Sequence, residues 1–429
     1  MKGSFRDFVR ELETNMQLLR MRKGVSKNLE LAAVMKAKEG TPILAPEVGG
    51  AKFAAVGNVF ATRELVARYL GCGVDEITKR LMDAINRPSK PKPAKTSPAL
   101  ETAVSSLDEL PIPFHTEKDG GPYICSGIVV AKDPEYGTNC SFHRMMQLDG
   151  ERMVLRILPR HLDAFIERAG GELDVAVIIG APINVLLASA ISTNIGTNEL
   201  EIANSLAPFE TVRLSNGIEV PSEVEFIFEA RITKELANEG PFVDLTDTYD
   251  IVRRQHVMEV KKIHARKDAL FHVLLPGGME HKVLMGMPRE PTIFNEVSKV
   301  AECKGVSITP GGCSWLHGVV SIHKKNEDDG KKAIEAAFRG HASMKHVVVV
   351  DDDVDIHKME EVEWAIATRF QGDRGLVIKP HEKGSSLDPS ANPETRETTK
   401  VGVDATAPLK NRAAFDRAKY KKVNAKDYL

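Results

Sequence analysis

The chain opens on apolar side chains at three- and four-residue spacing: Phe5, Phe8, Val9, Leu12 and Met16, following Ser4, whose hydroxyl suits a helix N-cap. This predicts an amphipathic helix, and helical spacing returns near 64–70 and 75–85. The stretch RPSKPKPAKTSP (87–98) breaks the pattern, because each proline lacks a backbone donor and restricts the residue before it; a linker is expected. Between about 110 and 290 the period shortens. Segments 124–131, 152–157, 175–179 and 224–231 are rich in branched or aromatic residues and bounded by Gly, Pro or Asn, predicting strands of a mixed, curved sheet. After 291 helices are expected near 293–303, 328–339 and 359–370, with strands at 318–323 and 347–350. That alternation implies βαβ units around a parallel sheet. The last residues, including SSLDPSANPETRETTK, read as an extended tail that docks on a folded body. No internal repeat is visible. The organisation expected is an α/β protein in four parts: an N-terminal segment and linker (1–98), a sheet-rich domain (99–290), a C-terminal α/β domain (291–380) and the tail (381–429).

Composition narrows the function classes. With 429 residues, 42% apolar, 28% charged and a net charge of −2, the chain is a multidomain globular protein with no basic surface for nucleic acid. No stretch of about 18 apolar residues offers a membrane span, and the N-terminus lacks a signal-peptide core, so a cytoplasmic location is expected. The five cysteines form no CxxC pair, which fits reduced thiols and speaks against structural zinc.

Four segments carry candidate chemistry. TNCSFHR (138–144) presents an amide at Asn139, a hydroxyl at Ser141 and a guanidinium fork at Arg144, all suited to holding phosphate or carboxylate. RILPRH (156–161) closes a strand at Pro159 and places His161 at the start of a helical pattern; TNIGTNE (193–199) adds Glu199. An Asn, a His and a Glu make a mixed donor set for Mn2+ or Mg2+, but ligands so far apart cannot be assembled from spacing. In NEGPFVD (238–244) the Gly240–Pro241 pair forces a turn, so Glu239 and Asp244 either point into one cleft or stand as two solvated acids. Two such acids near one guanidinium make a proton-donor arrangement, since neighbours push acid pKa values apart. In the segment 275–291, His281, Lys282 and Arg289 lie beside a Gly-rich turn; they either bind a second anionic group or tie the sheet to the C-terminal domain. The acidic run 351–355 lies where parallel sheets bind ligands, but no P-loop or GxGxxG accompanies it, so it is read as capping charge for the helix near 359.

The four elements TNCSFHR, LPRH, GTNE and EGPFVD occur in the order and approximate spacing of the UbiD-like decarboxylases, and from about residue 110 onward the chain resembles that family. The resemblance implies a split-barrel-like flavin-binding domain followed by a three-layer α/β oligomerisation domain. It also implies non-oxidative, reversible decarboxylation of an unsaturated or aromatic acid with prenylated FMN. By the same resemblance Asn139, His161 and Glu199 look like ligands of a divalent metal, Mn2+ or Mg2+, at the flavin phosphate, and the carbonyls near Ala188, Ser189 and Ile191 look like a K+ site. Ser141, Phe142, His143, Arg144, Arg156, Leu158, Arg160 and His161 would surround the cofactor, with Lys400 reaching back to it from the tail. Arg144, Glu239 and Asp244 resemble the catalytic network, with His281 and Arg289 toward the substrate. The compact length is similar to two groups in the family: archaeal anhydromevalonate phosphate decarboxylases, whose substrate is favoured here, and decarboxylases of furan, pyrrole or other aryl acids. A flavin-binding protein without catalysis is the remaining alternative. The implied partners are a carboxylic acid substrate, a flavin prenyltransferase as cofactor supplier, and further copies of the chain in a homodimer or larger symmetric assembly.

Overall fold

The computed structural model describes residues 3–418, 420–421 and 423–428, and the chain divides into two compact units. The first comprises 1–291 with the short returns 308–315 and 386–390; the second comprises 292–307, 316–385 and 391–429.

The opening helix, Phe5–Thr14, is capped as expected: the Asp7 amide donates to Ser4 Oγ at 3.2 Å and the Ser4 amide to Asp7 Oδ2 at 3.0 Å. Met16 lies beyond the helix and is exposed, so the apolar stripe ends at Leu12. Residues 1–98 pack within the first unit. Their strands share a four-stranded sheet with Leu270–Val273, and Phe5, Phe60 and Leu81 lie in one core cluster with Ile128, Ile178 and Val224. The proline stretch is tied down as well, because Lys92–Pro93 pairs with Glu210–Arg213.

The first unit is built on a nine-stranded sheet whose pairings are all antiparallel, beside smaller mixed sheets such as that of Lys92–Pro93, Glu210–Arg213 and Glu219–Pro221. Its path runs Gly137–Phe142, Ile128–Asp133, Leu173–Ile179, Phe226–Glu239, Arg253–Ala265, Arg152–Leu155, Met145–Gln147 and Tyr123–Ile124, with Thr102–Val104 joining Arg253–Ala265. Covalent connectivity dictates its curvature. Strands Gly137–Phe142 and Met145–Gln147 lie six strand spacings apart along this path, roughly 29 Å in a flat sheet. Only His143 and Arg144 connect them, and three residue steps reach about 11 Å. The sheet must therefore curl enough to bring Gly137–Phe142 close to Met145–Gln147, and His143 and Arg144 sit in the seam between them. Backbone bonds extend the ladder on each side up to these two residues: His143 N to Gly127 O at 3.4 Å, and Arg156 N to Arg144 O at 3.0 Å.

The second unit is a three-layer α/β domain. Its five-stranded mixed sheet runs Glu302–Ile308, His317–His323, His346–Asp351, Glu397–Ala405, Leu376–Lys383. Helix Asp329–Gly340 packs on the face of Gly402, whose position meets Ile334. Helix Met359–Arg369 packs through Val362 and Ala365 on Val348 and Val350, which alternate onto the opposite face. Part of the expected tail joins this sheet: Glu397–Ala405 inserts beside His346–Asp351, and Leu376–Lys383 forms the edge. The acidic run does not cap the helix at 359. Asp351 and Asp353 hold the Arg369 guanidinium at 2.6–2.8 Å, and Arg412 Nη2 reaches Asp351 at 3.2 Å. Among the described residues no helix is long and apolar enough to cross a membrane.

Candidate active site

Arg144, in the seam, is the hub of the most highly charged buried cluster in the first unit. Its side chain is 9% exposed and serves three carboxylates. Nε and Nη2 each donate to Glu239 at 2.9 Å, Nη1 donates to Asp244 at 2.6 Å, and Nη2 also donates to Asp250 at 2.8 Å. Glu239 is fully buried and accepts a further bond from Tyr123 Oη at 2.9 Å, while Asp250 is shared with Arg253 at 2.6 Å. Phe242 closes one side, its ring 4.5 Å from the Arg144 guanidinium. Burial works against the Arg144 charge, but Glu239, Asp244 and Asp250 outweigh it and hold the guanidinium above its ordinary range. Burial likewise acts to raise Asp250, yet Arg253 and Arg144 keep it below the usual carboxylate range.

Local folding explains the convergence. Glu239 is the last residue of Phe226–Glu239, in register with Arg253 on the neighbouring strand. Between them the chain forms a small ribbon, Phe242–Val243 against Tyr249–Asp250, which brings Asp244 and Asp250 to the same guanidinium. Gly240, at φ +100°, makes the corner, and Gly120 fits under it; a Cβ on Gly120 would stand 2.2 Å from Gly240 O. The loop before Tyr123 clamps this ribbon. Gly120 N donates to Pro241 O at 2.8 Å, and the buried Asp119 carboxylate accepts from Thr116 N at 2.9 Å and Val243 N at 3.3 Å.

A second constellation lies on strand Gly137–Phe142. Glu199, the first residue of helix Glu199–Leu206, is 2% exposed and accepts from Cys140 N and Thr193 Oγ1, both at 2.9 Å, with the Asn139 amide at 3.5 Å. These partners are all neutral, and burial pushes the Glu199 carboxyl up to about 7. A desolvated carboxylate without a counter-charge is the kind of group that a cation completes. His161 begins helix His161–Arg168, which packs against this strand; burial, then Arg160, lower its pKa and favour the neutral imidazole a metal requires. The structure thus brings Asn139 and Glu199 together, with His161 on an adjoining element. Helix Ile183–Ser189 ends beside them, its Ser189 hydroxyl 3.2 Å from Cys140 Sγ, so the carbonyls of Ala188, Ser189 and Ile191 lie at or just past a helix C-terminus, where negative partial charge suits a monovalent cation.

Between the two constellations runs a half-buried polar strip. Ser141 Oγ bonds Asn139 Oδ1 and His143 Nε2, both at 3.0 Å, and His143 Nδ1 meets Arg156 O at 3.0 Å. Phe142, Arg156 and Leu158 are half-buried alongside, and Arg160 is exposed. The remaining expected residues separate. His281 accepts from Gly277 N at 3.2 Å and feels the charges of Asp244 and Arg144, so it belongs with the first cluster. Arg289 instead bonds Ser192 Oγ and stacks 5.0 Å from Trp315; burial, then the charge of Arg160, bring it down to about 9. Lys282 pairs with Asp247 at 2.7 Å. Lys400 lies in strand Glu397–Ala405 of the second unit, with its ammonium bonded to Ala342 O at 2.6 Å and set over Phe338. Sequence reasoning missed Tyr123, Asp119, Asp250 and Arg253. A surface pocket of about 550 Å3, lined in part by Lys27, Phe114 and Pro122, flanks the clamping loop and contains none of these polar groups.

Known proteins fit this geometry. The three domains described as those of 3-octaprenyl-4-hydroxybenzoate carboxy-lyase match in turn: the N-terminal domain at 9–85, the Rift-related domain at 87–279 and the C-terminal domain at 282–405. Anhydromevalonate phosphate decarboxylase of Methanothermobacter thermautotrophicus is 42% identical over 92% of this chain and 95% of its own. The enzyme of the same name from Methanocaldococcus jannaschii is 43% identical over the same shares. The UbiD-class enzyme HmfF from Pelotomaculum thermopropionicum, solved in complex with FMN, superposes over 100% of both chains with a TM-score of 0.96 at 36% identity. An evolved dimeric form of it, solved with prFMN, gives 0.91 at 35%. Three consecutive family domains spanning almost the whole chain, on a fold shared end to end, make this protein a member of the UbiD family and a decarboxylase.

Proposed function

We propose that this decarboxylase uses prenylated FMN to remove CO2 from trans-anhydromevalonate 5-phosphate. The observation that carries the reading is Arg144, a buried guanidinium held by Glu239 and Asp244 at one end of a half-open polar strip. The choice of substrate is supported by whole-length likeness to the archaeal anhydromevalonate phosphate decarboxylases. Loss of CO2 from an sp2 carbon leaves a carbanion that no side chain here can delocalise, and prenylated FMN supplies that electron sink when bound.

The chain's own residues supply orientation and protons. Arg144 holds the substrate carboxylate, and Glu239 or Asp244 returns a proton to the carbon that has lost CO2. Asn139, His161 and Glu199 would hold a divalent metal, Mn2+ or Mg2+, which would offset phosphate charge on the cofactor, and the 188–191 carbonyls would hold K+; the uncompensated Glu199 carboxylate supports the first and the helix end the second. Ser141, Phe142, His143, Arg156, Leu158 and Arg160 line the flavin. Arg289, facing Arg160 and Ser192, offers positive charge for a phosphate, while His281 stands by the reacting carboxylate. A flavin prenyltransferase supplies the cofactor, and the chain works as a homodimer or larger symmetric assembly.

The test is CO2 release by protein co-expressed with a flavin prenyltransferase. Turnover of trans-anhydromevalonate 5-phosphate is expected. Turnover of furandicarboxylate instead moves the substrate to the heteroaryl acids, and bound flavin with no turnover of any acid leaves only a binding protein.

A further inference from the structure

Glu239 takes the Nε–Nη2 side of the Arg144 fork and is itself fully buried and held by Tyr123. The other two carboxylates bond the terminal nitrogens: Asp244 on Nη1 and Asp250 on Nη2. A guanidinium has five N–H groups, and four are engaged here. A substrate carboxylate that binds Arg144 with both oxygens needs two, so one internal acid has to yield.

Asp250 is the one built to do so. The Oδ2 atom that accepts from Arg144 at 2.8 Å lies 2.6 Å from Arg253 Nη1, so a second cation already holds the same oxygen. Letting go of Arg144 therefore leaves Asp250 paired, whereas Glu239 would be left as a fully buried charge without a cation. The ribbon strand that carries it is also the outer one: Tyr249, Ile251 and Val252 around it are exposed. Asp244 lacks such an alternative, its other oxygen being bonded to the Leu245 amide.

Resting on the reading of Arg144 as the holder of the substrate carboxylate, we propose that Asp250 is an internal stand-in for that carboxylate, which substrate displaces from Arg144 onto Arg253. Asp250 keeps the guanidinium aimed and neutralised while the site is empty, and Arg253 lowers the cost of its release. Both are positioning residues that act through Arg144, and they set apparent affinity more than the chemical step.

The experiment is a double-mutant cycle on flavin-loaded enzyme, reading KM and kcat separately for trans-anhydromevalonate 5-phosphate. Asp250→Asn, which removes the competing charge, should lower KM by about tenfold; Arg253→Gln, which leaves Asp250 only Arg144 to bind, should raise it by about tenfold. In the double variant the Arg253 effect should vanish, because no carboxylate remains to be received. A KM for Asp250→Asn at or above the wild-type value overturns the proposal. So does an Arg253→Gln effect of equal size in both backgrounds, which would mean that Arg253 touches substrate itself. Arg144→Lys with unaltered KM would remove the premise instead, and so separates failure of the underlying reading from failure of this one.

Discussion

The two charged centres of the first unit are built on opposite principles. Around Arg144 three acids, Glu239, Asp244 and Asp250, share two guanidiniums, and Tyr123 adds a neutral donor. Around Glu199 the carboxylate is as deeply buried, but its partners are an amide, a backbone N–H and a hydroxyl. A self-compensated cluster can exchange one internal anion for an external one at little electrostatic cost, which is what a substrate site requires. An uncompensated carboxylate is stable as an anion only with a cation from outside, which is what a cofactor anchor requires. Charge balance, more than residue type, separates the two roles.

Breaking the compensated side should have the largest effect. Glu239→Gln keeps the shape and removes the acid, and turnover should fall by roughly a hundredfold or more with flavin still bound, as read by absorbance beside initial rates. On the uncompensated side, Glu199→Ala should weaken Mn2+ retention by more than about tenfold, measured as metal per chain after dialysis, with loss of flavin following. If metal content is untouched, the contrast between the two centres collapses. Asp119→Ala sharpens the comparison from the backbone: it frees the Thr116 and Val243 amides, loosens the ribbon carrying Asp244, and should slow turnover by roughly fivefold at unaltered metal content.

The smallest effect is a pH dependence at the strip between the centres. Burial pushes His143 down to about 4, below the ordinary 6.5 of a histidine. The unfolded chain then takes up its proton first as pH falls, so stability from this group is present above about 6.5 and is lost as pH drops toward 4. Acid-unfolding curves of His143→Asn should be flatter than wild type across that window.

How much of this was legible in the sequence follows from which signals are local. The apolar stripe of Phe5–Thr14 and the branched runs of Leu173–Ile179 and His346–Asp351 name their elements because the buried face is written in consecutive residues. Arg253–Ala265 escaped: RRQHVMEVKKIHA is mostly polar, and its strand character comes from pairing along Phe226–Glu239. The helix expected near 293–303 overruns into the first two residues of strand Glu302–Ile308. At the site, Glu239 and Asp244 were visible because they stand five positions apart across a Gly-Pro turn. Asp250 and Arg253 were not, since they reach Arg144 only through the register of the ribbon and its hairpin. The acids of 351–355 misled because capping is a local habit, whereas Arg369 reaches them from the far end of a helix. The strand that carries Lys400 was not legible either, as nothing local shows a polar segment inserting as an interior strand.

The central claim is that Arg144 holds the carboxylate that is lost. It is tested most directly by measuring CO2 released per bound flavin from trans-anhydromevalonate 5-phosphate by wild type and Arg144→Lys, a change that keeps the charge and removes the fork. The account predicts multiple turnovers for wild type and almost none for the lysine variant at equal flavin content. Equal release by both proteins, or none by flavin-loaded wild type, would contradict it.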